Sequence, residues 1–120
     1  MSDKLHVRVD DGVATVIMDR REVLNALDAE MAEALAAATG ELAADGEVRC
    51  VVIRGAGEHF MAGGDVRQFH AYLGDERADV GARIGAEIDD VHRAIVHIRT
   101  MPKPVVASVR GASAGFGMSL

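Results

Sequence analysis

Two glycine-bearing stretches hold the residues best placed to do chemistry. Ala62-Gly63-Gly64-Asp65 follows an apolar run at residues 50–53, and Gly111-Ala112-Ser113-Ala114-Gly115-Phe116-Gly117 follows a β-branched run at residues 105–109. Small residues let backbone amides come close to a ligand. Amide hydrogens at a helix start lack an intrahelical partner and lie at the positive end of the macrodipole, so the second bend suits negative charge. If the fold brings the two bends together, their amides would make an oxyanion hole. Spacing alone does not establish that they meet, and each bend taken singly is more readily a tight turn whose glycines supply φ > 0.

The elements that must position these bends are legible. Residues 5–9 alternate apolar and polar, Asp10-Asp11-Gly12 signals a turn, and residues 13–18 resume strand character, which predicts a β-hairpin. Asp19-Arg20-Arg21-Glu22 reads as a charged loop. Asp28 is placed to cap a helix in which Met31, Leu35, Ala38 and Leu42 recur at helical spacing, and Gly46 is the expected stop. A strand at residues 51–53 leads into the first bend. A short helical turn is expected after Asp65, then a polar, mobile connection over residues 71–82. From residue 80 to residue 101 a long helix places Ile84, Ile88, Val91, Ile95 and Ile98 on one face and charge on the other. Pro104 stops it, and a buried strand at residues 105–109 leads into the second bend. Strand, helix, strand, helix, strand behind a hairpin predicts an α/β arrangement with right-handed crossovers. The chain stops about one turn into its last helix, and the expectation is that a C-terminal half is absent.

Composition narrows the class. With 120 residues, 49% of them hydrophobic, the chain makes at most one domain with a real core, aliphatic and alanine-rich because Phe60, Phe69, Tyr72 and Phe116 are its only aromatics. The interspersed net charge of −6 suggests neither nucleic acid nor an anionic membrane as partner. The lone cysteine, Cys50, lies in an apolar strand and reads as a buried thiol. No segment approaches a membrane span, and a cytoplasmic location is expected. His6, His59, His70, His92 and His97 read as loop or surface residues, no cluster has metal-ligand spacing, and Ser108, Ser113 and Ser119 lack a nucleophile-elbow pattern.

Phe-x-Ala-Gly-x-Asp-x-x-x-Phe at residues 60–69, Lys-Pro-Val-Val-Ala at residues 103–107 and the glycine-rich bend after it, with Leu24-Asn25-Ala26-Leu27 upstream, together resemble the crotonase superfamily of enoyl-CoA hydratases and isomerases. The resemblance covers nearly the whole chain and only the first half of the family's domain. It implies an α/β, crotonase-like fold of repeated ββα units with an incomplete core, residues 1–120 being the N-terminal part of a single domain. It implies an acyl-CoA substrate, with coenzyme A as part of the substrate and no separate cofactor, and a homo-oligomer that is a trimer or hexamer at full length. By the same resemblance, the amides of Gly64 and Phe116 hold the thioester oxygen as enolate charge moves onto it. Arg20, Arg21, Val23 and Ala26 lie near the CoA nucleotide, and Ala62, Gly63, Asp65, Val66 and Gly115 lie along the substrate. For Asp65, a cap accepting amide hydrogens of the following turn is the preferred role.

Two departures from the family pattern matter. Phe116 stands where hydratases commonly have glycine; its amide remains available and its ring reshapes the acyl pocket. Ser119 stands where a hydratase has the first of two glutamates, three residues after the second oxyanion-hole residue, and serine has no useful acidity near neutral pH. This favours double-bond isomerisation over hydration by two carboxylates. Two alternatives stay open. The Ala-Gly-Gly-Asp form is similar to that of 3-hydroxyisobutyryl-CoA hydrolases, and a truncated, non-catalytic chain would bind acyl-CoA weakly or only associate with partner subunits.

Overall fold

Asp11 and Gly12 both take positive φ, 49° and 79°, as a two-residue hairpin turn of type I′ requires. They join β1 (Leu5–Asp10) to β2 (Val13–Met18), which pair antiparallel from Leu5 opposite Met18 to Asp10 opposite Val13. In the computed structural model, which describes residues 2–76 and 79–120, β2 pairs parallel with β3 (Cys50–Gly55), and β3 pairs parallel with β4 (Val105–Ser108). The sheet order is β1-β2-β3-β4. Helix α1 (Ala29–Ala44) makes the first crossover, and α2 (Val66–Gly74) with α3 (Val80–Thr100) makes the second. A single turn, α4 (Phe116–Ser119), follows β4.

α1 forms where the apolar period and its cap coincide. Asp28 Oδ1 accepts from Met31 N at 2.9 Å, and Met31, Leu35 and Leu42 are buried against the sheet. The helix ends at Ala44, two residues before Gly46, because Asp45 leaves the helical region as its C-cap. Lys103 Nζ donates to Leu42 O at 2.7 Å and to Asp45 O at 2.8 Å, a cation satisfying carbonyls at a helix C-terminus. The core gathers Val16 and Met18 of β2, Val51 and Ile53 of β3, Met31 and Leu35 of α1, and Phe60 and Met61 from the first bend. It is as aliphatic as the composition requires, with methionine filling the irregular gaps.

Several expectations need correction. Among the described residues β4 pairs only with β3, and this edge strand is largely exposed rather than buried, with Val106 at 50% exposure. Cys50 is half-buried, since it opens β3 at the sheet margin. After Asp65 there is a nine-residue helix, so residues 71–74 and 80–82 of the expected mobile connection are helical. Residues 77 and 78 of that connection lie outside the described residues. On α3 the apolar stripe is only partly covered: Ala94 is buried where the helix crosses α1, Val91 and Ile98 pack half-buried against the core, Ile88 stays exposed, and the other buried residue is Glu87. Across that crossing Thr39 Oγ1 and His97 Nδ1 share a hydrogen bond of 3.0 Å, so His97 is an interhelical tie rather than a free surface ring. Among the described residues, no helix is long and apolar enough to cross a membrane.

Candidate active site

The first bend is held by a residue that spacing did not single out. Asn25 is fully buried in the left-handed region, φ 55°, and its Nδ2 donates to Ala56 O, His59 O and Phe60 O at 3.0, 2.9 and 3.2 Å. Its Oδ1 accepts from Arg20 N at 2.8 Å. Asparagine tolerates αL and carries both donor and acceptor, so one side chain ties the turn after β2 to the loop after β3. The only sequence signal for it was its place within Leu24-Asn25-Ala26-Leu27.

Downstream, Leu27 N donates to Gly63 O and Leu27 O accepts from Asp65 N, both at 2.8 Å. This parallel bridge leaves Gly64 between two bonded neighbours, with its own N–H turned away from Leu27. A second bridge joins the two bends: Met61 N donates to Ala112 O at 3.2 Å, and Ala114 N to Met61 O at 3.1 Å. His59 adds a bond, its Nδ1 accepting from Ala112 N at 2.9 Å, which makes it a structural link rather than a loose loop residue.

Spacing left open whether the bends meet; the structure brings them into contact. A methyl group built on Gly115, where φ is 54°, would lie 3.5 Å from Gly63 Cα, and one built on Gly63 would lie 3.9 Å from Phe116 N. Gly117 approaches so closely that a methyl there would stand 2.2 Å from Met61 O. Among the described residues, neither Gly64 N–H nor Phe116 N–H has a hydrogen-bond acceptor. Because α4 is one turn long, a macrodipole adds little; the bend offers bare amides.

The two arginines separate. Arg20 is 13% exposed at its side chain: Nη2 pairs with Asp65 Oδ2 at 2.9 Å, Nε lies 3.6 Å from Asp28 Oδ2, and Nη1 donates to Ala26 O at 2.7 Å. It is an internal clamp, not part of a solvated loop. Arg21 is exposed and held by Asp19 at 3.1 Å, with Val23 and Ala26 half-buried beside it. Ala62 N donates to Leu24 O at 3.1 Å, so this turn and the first bend form one surface. Asp65 caps α2 by accepting from Arg67 N and Gln68 N at 3.0 and 3.4 Å. Burial works to raise its pKa, but Arg20 and the two amides outweigh it and hold the carboxyl below its ordinary value. Val66 and Gly115 are exposed.

Gly64 and Phe116 line one cavity of about 310 Å³ whose other walls are Leu27, Phe69 and residues of α3, Glu87 among them. Glu87 was not singled out from the sequence. Among the described residues, no group of His, Cys, Asp or Glu could hold a metal ion.

The fold is a hairpin-led α/β sheet with two touching glycine bends, and Gly64 of one and Phe116 of the other line one apolar cavity. A sequence profile of the enoyl-CoA hydratase/isomerase family matches residues 13–120, and the chain belongs to that family, within the crotonase superfamily. It is 35% identical over 117 residues to a probable enoyl-CoA hydratase of Rhodobacter capsulatus, spanning 97% of this chain and 42% of that one. It is 31% identical over 112 residues to a 1,2-epoxyphenylacetyl-CoA isomerase of Escherichia coli, spanning 93% and 42%. Among solved structures, an enoyl-CoA hydratase/isomerase from Mycobacterium paratuberculosis superposes with a TM-score of 0.86 at 31% identity, over 100% of this chain and 46% of that one. An enoyl-CoA hydratase/carnithine racemase from Magnetospirillum magneticum gives 0.84 at 28% identity, over 98% and 43%. The chain thus spans less than half the length of these relatives, and its four-stranded sheet corresponds to a partial core of the crotonase fold.

Proposed function

We propose that this chain carries the oxyanion-hole half of an acyl-CoA-processing site, with the thioester oxygen accepting from Gly64 N–H and Phe116 N–H. The observation behind this reading is that, among the described residues, neither amide has an acceptor, and that Gly64 and Phe116 line the same cavity. Removing a proton next to a thioester carbonyl places charge on its oxygen, and one aligned donor is worth about 3 kcal/mol, or two to three orders of magnitude in rate. Coenzyme A enters as part of the substrate. Arg21, exposed and paired only with the surface carboxylate of Asp19 among the described residues, is the arginine placed to meet its phosphates, since Arg20 is committed to Asp65 and Asp28. Ala62, Gly63, Asp65, Val66 and Gly115 shape the channel for the thioester arm, with Val23 and Ala26 on the nucleotide side.

Ser119, exposed on α4, replaces an acid and favours a double-bond shift over hydration. The test mixes the purified protein with crotonyl-CoA and, separately, with but-3-enoyl-CoA, and follows the conjugated-thioester absorbance. Formation of the conjugated product, abolished in Gly64→Pro where one amide hydrogen is gone, is the expected result. Equal rates in the two proteins would defeat the proposal. Release of free thiol would mark hydrolysis instead, and binding without turnover would leave a non-catalytic acyl-CoA-binding chain.

A further inference from the structure

Glu87 interrupts the apolar stripe of α3. Ile84, Ile88 and Val91 lie three positions before, one after and four after it, all on the cavity side, and Glu87 lines the same cavity. Spacing suggested that α3 keeps its charges on the opposite face, yet Glu87 is 6% exposed. Its Oε2 is buried with no hydrogen-bond partner among the described residues. A carboxyl oxygen in that condition is costly, and native structures rarely keep one without a use.

The groups around it do not relieve the cost. Asp28 at the cap of α1, Asp65 at the cap of α2 and Asp90 on α3 face it with like charge. Tyr72 on α2 also interacts with it, and Arg83 lies over the Tyr72 ring, 5.2 Å from its centre. Burial first, and then the three aspartates, push its pKa above the ordinary value. A raised carboxyl exchanges its proton closer to neutral pH, where an acid–base group is most effective.

We propose that Glu87 is the acid–base residue of this site and takes the place left by Ser119. The proposal rests on the thioester reading of Gly64 and Phe116. With a 3-enoyl thioester, the Glu87 carboxylate removes a proton from the carbon next to the carbonyl. The C–H electron pair forms the new double bond to the carbonyl carbon, and charge passes to the oxygen facing Gly64 and Phe116. The Glu87 carboxylic acid then returns the same proton to the γ-carbon as the electrons move back along the chain, leaving a 2-enoyl thioester. Proton and electrons balance with no oxidant or reductant.

The experiment measures isomerisation of but-3-enoyl-CoA, deuterium uptake at its α-carbon from heavy water and binding affinity, for wild type, Glu87→Gln, Glu87→Asp and Gly64→Pro. Glu87→Gln is expected to lose about 10²–10⁴-fold in kcat with affinity kept within about threefold. Glu87→Asp is expected to keep part of the rate and to displace the acid limb of the kcat/KM profile. Wild-type kcat in Glu87→Gln, a change confined to KM, or an unmoved pH profile in Glu87→Asp overturns the assignment while the thioester reading stands. A wild type that binds the thioester but neither isomerises it nor exchanges its α-proton overturns it too. A wild type that neither binds nor exchanges, or a Gly64→Pro that matches wild type in both, removes the thioester reading itself and this proposal with it.

Discussion

Arg20 and Asp65 are joined at 2.9 Å across 45 positions of sequence, the guanidinium of the turn after β2 meeting the carboxylate that caps α2. Both side chains are at most 13% exposed, so solvent does little to screen the pair. Removing one partner leaves the other charge buried and uncompensated, an effect of about 3–5 kcal/mol. Arg20→Met is therefore expected to shift the urea midpoint strongly downward. Arg21→Met, at an exposed site, should leave the midpoint nearly unchanged and weaken CoA-ester binding instead. Equal midpoints for the two variants would show that Arg20 is not the clamp.

Gly117 is where the two bends touch most closely. A methyl 2.2 Å from Met61 O forces backbone to move, because that oxygen accepts from Ala114 N and is not free to turn aside. Gly117→Ala is expected to destabilise by about 1–3 kcal/mol and to displace the Phe116 amide, lowering thioester affinity in the same variant. Gly46→Ala, with open space around it, serves as the control, and thermal unfolding of the two reads the difference.

Two carboxyls make opposite contributions as pH changes. The Asp65 carboxyl has a lowered folded-state pKa, so its stabilisation is present above its unfolded value and is lost as pH falls through the folded one. Glu87 has a raised folded-state pKa, so its cost is absent at low pH and grows as pH climbs from its unfolded value through the folded one. Glu87→Gln should thus become stable relative to wild type only as pH rises, with the difference levelling off above the folded pKa. Denaturant titrations at several pH values check this, and a difference that is constant with pH would show that folding does not shift the pKa of this carboxyl.

Much of the fold was legible in the chain. The Asp11-Gly12 turn, the Asp28 cap and the apolar periods of α1 and α3 are local signals, because φ preference, capping and side-chain periodicity act within a few residues. The two bends were recognisable for the same reason, as strings of small residues after strands. What was misread depended on neighbours. Among the described residues β4 pairs only with β3 and lies largely exposed, and α3 buries Ala94 against α1 while Ile88 stays exposed, so the apolar character of either segment could not reveal which side would be covered.

The chain by itself determined which backbone would lie bare, since glycine at positions 63, 64, 115 and 117 removes side chains regardless of context. Only tertiary structure decided that Gly64 and Phe116 border one cavity, that Arg20 faces inward while Arg21 stays out, and that one glutamate of α3 is buried beside the bends. Contacts between residues 25 and 60, 20 and 65, or 61 and 113 come from the crossovers that bring β3 and β4 alongside β2. Burial and charge environment are properties of such assembled neighbours, not of spacing along the chain.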